Sequence, residues 1–101
     1  MKILKWTVPV DDKPHSIGAG DVVHVDNQHG ELNEVQVWTF EDPQINPYTP
    51  YNSNHRVVQV FGTGQELPSL SHPLGSAIVA GGQLVWHVVE LPLNRATRDV
   101  F

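Results

Sequence analysis

The sequence predicts an all-β domain, a small antiparallel β-sandwich or barrel of about six to eight short strands with little or no helix. Apolar and polar residues alternate with a period of two in several short segments, the spacing of a strand with one buried face. Turn-forming residues separate these segments at short intervals. No long segment carries apolar residues at the i, i+3, i+4 and i+7 spacing that is typical of a helix.

The first predicted strand, residues 2–8, places Leu4, Trp6 and Val8 on one face. Trp6 is therefore a predicted core residue, and by the same alternation Trp86 is another. Three further segments of the N-terminal half are predicted strands, the first of them a short edge strand: residues 13–17, 21–26 and 35–41.

The C-terminal half adds three predicted strands: residues 56–61, 75–80 and 83–90. Gly81 and Gly82 predict a two-residue hairpin turn between the last two, because glycine adopts the positive φ angles of such turns. The Gly62-Thr63-Gly64 segment is predicted to be a strand-end turn. A phosphate-binding loop would need a helix after it, and no helical pattern follows.

The chain has the length of one domain, which we predict to be residues 1–90. Residues 91–101 are predicted to form a C-terminal tail, disordered in part or helical for one turn. Residues 42–54 contain three prolines and three asparagines and are predicted to form a long loop.

Charge and composition exclude several functions. Eleven acidic residues against six lysines and arginines give a net charge of -5, and the basic residues are scattered. Nucleic-acid binding requires concentrated positive charge, so no nucleic-acid partner is expected. The absence of cysteine excludes disulfides, zinc–thiolate sites and a thiol nucleophile. A reducing cytoplasm is the natural setting for a chain without cysteine, and a virion would suit it equally well. No apolar stretch approaches the ~20 residues of a membrane span, so no membrane association is expected.

Residue patterns typical of catalysis are not found in the sequence. The serines occur without a Gly-x-Ser-x-Gly elbow, and the adjacent acidic pairs stand at predicted strand ends, where carboxylates usually face water. We therefore expect a protein that is not an enzyme and has no cofactor.

Two histidines in predicted strands are weak candidates for a metal site, although no metal is expected. If their strands pair, His24 and His87 would share one face with Asp26 nearby, and two imidazoles plus a carboxylate can ligate a metal. In this pattern Val23 and Val25 share the opposite face of their strand. Strand histidines that are merely hydrogen-bonded are commoner, and that alternative stays open.

The best candidate binding surface begins in the strand 35–41. Both of its faces carry apolar residues, so either the strand is central and buried on both sides or one face is exposed. Tyrosines on a proline-rich loop lose little entropy on docking. The predicted binding residues are Trp38, Phe40, Ile45, Tyr48 and Tyr51.

Several short motifs carry a family resemblance: KW at 5–6, GDVVHV at 20–25, VW at 37–38, FGTGQELP at 61–68, GS at 75–76 and GGQLVWHVVE at 81–90. With these motifs the chain resembles a family of small proteins found mainly in bacteriophages, especially those infecting actinobacteria. The resemblance covers residues 2–90, and the proline-rich segment 42–54 and the tail depart from it. It implies phage origin and a shared fold; the family has no assigned activity and implies no site residues.

The leading hypothesis is a phage-encoded accessory protein in the host bacterial cytoplasm that binds another protein, either a host factor or a second copy of itself. One alternative is a structural, capsid-associated component of the virion. Another is a β domain that binds a small ligand or a metal.

Overall fold

The computed structural model describes residues 1–41 and 55–92 and places seven strands in them. The strands are β1 (Ile3–Pro9), β2 (His15–Gly18), β3 (Val22–Asp26), β4 (Glu34–Phe40), β5 (His55–Gly62), β6 (His72–Val79) and β7 (Leu84–Glu90). The described residues contain one 3-10 turn, Ala80–Gly82, and no α-helix. Within them, no helix is long and apolar enough to cross a membrane. The prediction of an all-β fold is confirmed.

The strands form two antiparallel sheets packed as a sandwich. The three-stranded sheet has the order β1-β4-β3, and the four-stranded sheet has the order β2-β5-β7-β6. β4 is therefore a central strand with a neighbour on each side. β3 and β6 bring the two sheets together at one end of the sandwich.

Small β-branched side chains fill the space between the sheets, because they pack well on a pleated surface. Trp6 and Trp86 pack against this core and stay half-buried at its margin. The Trp86 indole N–H donates to the Leu32 carbonyl oxygen at 2.8 Å and so links the two sheets. The core residues are Val8, Ile17, Val25, Val35, Val37, Val58, Val60, Ala77 and Val88.

A bulge in β3 changes which of its side chains point inward. The pairing with β4 shifts between Val22 and His24, so that Val22 and Val25 both pack against the core. Val23 is 44% exposed. The prediction that Val23 and Val25 share a face is therefore wrong, because the extra residue of a bulge interrupts the two-residue alternation.

The predicted hairpin between β6 and β7 is present, with Val79 opposite Leu84. Its connection is four residues long, 80–83, rather than two, because Ala80 also leaves the strand with a φ of 53°. Gly81 and Gly82 have φ angles of 65° and 95°, as a glycine turn requires. β6 carries its own bulge, where the pairing with β7 shifts between Pro73 and Gly75.

Gly75 leaves room for the contact between the two sheets, which makes the contact testable. A Cβ at Gly75 would lie 2.6 Å from Val25 Cγ2, and its three nearest atoms all belong to Val25. Gly75→Ala alone should lower the free energy of unfolding by about 1–3 kcal/mol through overpacking. Val25→Ala alone should lower it by about 2 kcal/mol through lost burial. The double variant should be more stable than the sum of these losses by at least about 1 kcal/mol.

Urea denaturation of the unsubstituted protein, the two single variants and the double variant measures the coupling energy between positions 75 and 25. Val35→Ala in place of Val25→Ala is the matched control, because Val35 is also a buried core valine and supplies none of the three atoms nearest to Gly75. Additive losses for the Gly75 and Val25 variants would contradict the sheet contact.

Candidate functional site

An apolar surface lies on the outer side of the three-stranded sheet. Ile3 of β1 stands directly opposite Phe40 of β4, and these side chains are 56% and 39% exposed. Trp38 is half-buried on the same side of β4, and the exposed Val23 and His24 belong to the neighbouring strand β3. We call Ile3, Val23, His24, Trp38 and Phe40 the aromatic face.

Trp38 is held between its two neighbouring strands. In the strand register it stands opposite Lys5 of β1 and His24 of β3. The ring centroids of Trp38 and His24 are 5.4 Å apart and their planes are tilted by 42°. Lys5 donates from Nζ to the Gln28 side-chain oxygen at 2.8 Å. These neighbours fix the orientation of the indole on the sheet.

A polar loop closes the other end of this side of the sheet. Gln36 follows the outward alternation of β4, yet it is fully buried. Its side-chain oxygen accepts from the Gln28 N–H at 2.7 Å. The Asn27 side-chain amide donates to the carbonyl oxygens of Glu31 and Glu34 at 2.6 and 2.9 Å and holds the loop 27–33 in place. The apolar surface is thus limited to the Trp38 and Phe40 end.

The structure brings two of the five predicted binding residues together. Trp38 and Phe40 share one side of β4. The strand is central, and on its outer side Gln36 is buried, Trp38 is half-buried and Phe40 is exposed, so neither of the two alternatives describes the whole strand. Ile45, Tyr48 and Tyr51 lie outside the described residues, and their part in binding stays a prediction.

Sequence reasoning missed Ile3 and Val23 as members of this surface. The alternation that turns Leu4 inward already places Ile3 on the outer side of β1. Val23 is exposed only because of the bulge, for which the sequence carries no clear signal.

The three candidate metal ligands do not form one site. His24 and Asp26 lie on β3 in the three-stranded sheet, and His87 lies on β7 in the four-stranded sheet. Their strands do not pair, so the proposed shared face is wrong. His24 Nε2 and Asp26 Oδ2 are 3.7 Å apart on the exposed surface. Among the described residues, no group of three or more histidines and carboxylates could hold a metal ion.

His87 instead links two hydroxyl groups on the outer side of the four-stranded sheet. Its Nδ1 is 2.7 Å from Ser76 Oγ and its Nε2 is 2.8 Å from Thr63 Oγ1. A neutral imidazole satisfies both contacts by donating through one nitrogen and accepting through the other. The cluster ties the turn after β5 to β6 across β7.

That turn is closed by the Gln65 N–H, which donates to the Gly62 carbonyl at 3.2 Å, so the predicted strand-end turn is present.

Comparison with known proteins places the chain in one family. No curated protein and no solved structure matches it. A family model described as "Domain of unknown function (DUF7352)" matches residues 1–98, which is nearly the whole chain. This match confirms that the chain resembles a family without an assigned activity. The chain belongs to the family of the domain of unknown function DUF7352.

Proposed function

We propose that this protein acts by binding another protein through its aromatic face, as a phage-encoded accessory protein without catalytic activity. The observation that carries the proposal is the pair of exposed side chains Ile3 and Phe40, which stand opposite each other beside Trp38. Contiguous exposed apolar groups on a small protein mark interaction sites more often than isolated ones do.

The sheet gives this surface the rigidity that efficient binding requires. β4 is hydrogen-bonded to a strand on each side, and the indole of Trp38 is fixed between Lys5 and His24. Side chains that are already ordered lose less entropy on association. Tryptophan and phenylalanine are also enriched in the buried centres of protein interfaces.

Charge favours a protein over a nucleic acid as the partner. The net charge is -5, and the lysine beside Trp38, Lys5, already donates to Gln28. Asp26 adds a carboxylate next to His24. A phosphate backbone would need several free cations at this surface to gain affinity by counterion release.

The resemblance of the sequence motifs to bacteriophage proteins supports a phage origin, and the location that we propose is the host bacterial cytoplasm. The partner is then a host factor or a second copy of the chain. Mass spectrometry of purified virions checks this location. Abundant protein in the virion would favour the capsid-associated alternative instead.

Site-specific photocrosslinking tests the binding surface. A benzoylphenylalanine at position 40 should capture the partner in infected cells, and one at position 78 should not. Ile78 is the matched control, because it is also an exposed apolar strand residue, 66% exposed, but lies on β6 in the other sheet. Equal capture from both positions would contradict the proposal.

The captured complex, or the self-associated dimer, then allows a measurement of affinity. Phe40→Ser should raise the dissociation constant about 30-fold, the equivalent of the ~2 kcal/mol that defines an interface hot spot. Ile78→Ser should leave it unchanged. Melting temperatures of both variants establish that each is folded at the temperature of the assay. Full affinity in folded Phe40→Ser would exclude the aromatic face as the contact.

A further inference from the structure

A cleft of about 730 Å³ lies on the outer side of the four-stranded sheet, on the far side of the sandwich from the aromatic face. This volume lies within the range of ~300–1,000 Å³ that is usual for small-molecule sites. Its floor is apolar and contains Val57, Phe61 and Leu91. The Leu91 N–H donates to the Val57 carbonyl at 2.8 Å, which fixes Leu91 beside β5.

One wall of the cleft is the segment that follows β5. Leu67 and Pro68 line it, and Leu67 is 43% exposed. Both the N–H and the hydroxyl of Ser71 donate to the Pro68 carbonyl, at 3.3 and 2.6 Å. These hydrogen bonds hold the wall in one conformation, so a ligand would find it already formed.

The opposite wall is the turn between β1 and β2. The Asp11 carboxylate accepts from His15 Nε2 at 2.8 and 3.0 Å and from the Lys13 N–H at 3.1 Å. The hydrogen bond from His15 is the main reason that the pKa of Asp11 lies below its ordinary value of 3.8. Asp12 and His15 line the cleft from this turn.

Charge at the cleft has one sign. Asp12 on one wall and Glu66 on the other are exposed carboxylates. None of the described residues that line the cleft is a lysine or an arginine. Lys13 belongs to the same turn as Asp12 but does not line the cleft. Among the described lining residues, the carboxylates therefore stand beside an apolar floor without a lysine or an arginine.

We propose that this cleft binds a small organic cation, an apolar body that carries one amine or amidine group. The apolar body would cover Val57, Phe61 and Leu91, and the cationic group would lie at the rim between Asp12 and Glu66. The cleft and the aromatic face belong to different sheets, so this site does not depend on the proposed protein binding.

A matched series of probes tests this chemistry: 4-phenylbutylamine, 4-phenylbutanol and 4-phenylbutyrate. They share the apolar body and differ in charge. Titrations followed by amide NMR shifts should show the amine binding tightest, the alcohol several-fold weaker and the carboxylate weakest. The shifted amides should belong to the cleft, including Gln59 and Leu67. Added salt should weaken binding of the amine and leave binding of the alcohol unchanged.

Substitutions at the two walls assign the charge effect to single carboxylates. Glu66→Gln and Asp12→Asn should each weaken binding of the amine about threefold, the usual size for an exposed ion pair. Both substitutions should leave the affinity for the alcohol unchanged. Asparagine suits position 12, because Asp12 has a φ of 58° that asparagine adopts readily. Glu31→Gln is the matched control, since Glu31 is an exposed carboxylate in the loop on the other sheet.

Leu67→Ser should weaken binding of the amine and of the alcohol alike, since the substitution removes an apolar side chain from the wall of the cleft and changes no charge. The proposal is overturned if the carboxylate probe binds as tightly as the amine, or if the shifted amides lie outside the cleft. It is also overturned if none of the three probes binds at 10 mM, a concentration about tenfold above a weak millimolar dissociation constant.

Discussion

Gly20→Ala is expected to lower the free energy of unfolding by about 3 kcal/mol or more, at or above the upper end of overpacking effects. A Cβ at Gly20 would overlap the carbonyl oxygen of Phe40 and lie 2.7 Å from its carbonyl carbon. That carbonyl cannot move aside, because the Phe40 N–H donates to the Asp21 carbonyl oxygen at 2.9 Å and β4 is paired on both sides. Such a loss is a large share of the ~5–15 kcal/mol that stabilises a domain.

Gly30→Ala is the matched control for this substitution. Nothing lies within 4 Å of a Cβ at Gly30, and its φ is +74°. Only backbone strain remains there, which amounts to about 1–2 kcal/mol. Urea denaturation separates the two effects. A Gly20→Ala protein no less stable than Gly30→Ala would show that the connection after β2 does not press against β4.

Trp6→Ala is expected to lower the free energy of unfolding by about 3 kcal/mol, the lower end of the range for large aromatics, because the indole is only half-buried. The ring crosses from one sheet to the other: its Cζ2 lies 2.8 Å from the place of a Cβ on Gly18 of β2. Its Nε1 donates to the hydroxyl of the fully buried Thr39 at 3.0 Å.

Thr39→Val separates hydrogen bonding from packing at this position. Valine has nearly the shape of threonine and leaves the Trp6 ring against Gly18, but it removes the acceptor for Trp6 Nε1, so the expected loss is about 1–2 kcal/mol. Thermal melts and urea titrations of both variants give the comparison. Equal losses for Trp6→Ala and Thr39→Val would mean that the hydrogen bond to Thr39, and not the contact between sheets, accounts for the stability that Trp6 provides.

The strands were predictable wherever one face is buried. Leu4, Trp6 and Val8 alternate with polar neighbours, and β1 was placed from this pattern alone. The bulge in β3 could not be found in the same way, since it depends on how Val22 and His24 pair with β4. A period of two contains no information about an inserted residue.

The candidate site was predictable only in part, for a related reason. Trp38 and Phe40 stand out because β4 has apolar residues on both faces. The burial of Gln36 depends on hydrogen bonds from the loop 27–33, which residue type does not indicate. The separation of His24 from His87 depends on strand order, which a single sequence does not specify. The cleft escaped prediction because its walls come from segments distant in the chain.

The bulges in β3 and β6 bear on how the protein can associate with itself. Both strands are the outermost of their sheets, and an outermost strand offers unpaired N–H and C=O groups to any passing extended chain. A bulge twists such a strand and breaks the regular spacing that a new strand would have to match. β2, the free strand at the other side of the larger sheet, is only four residues long. Extension of the sheets by further copies is therefore hindered at β2, β3 and β6. β1, seven residues long and paired without a bulge, is the one outermost strand among the described residues that has neither protection.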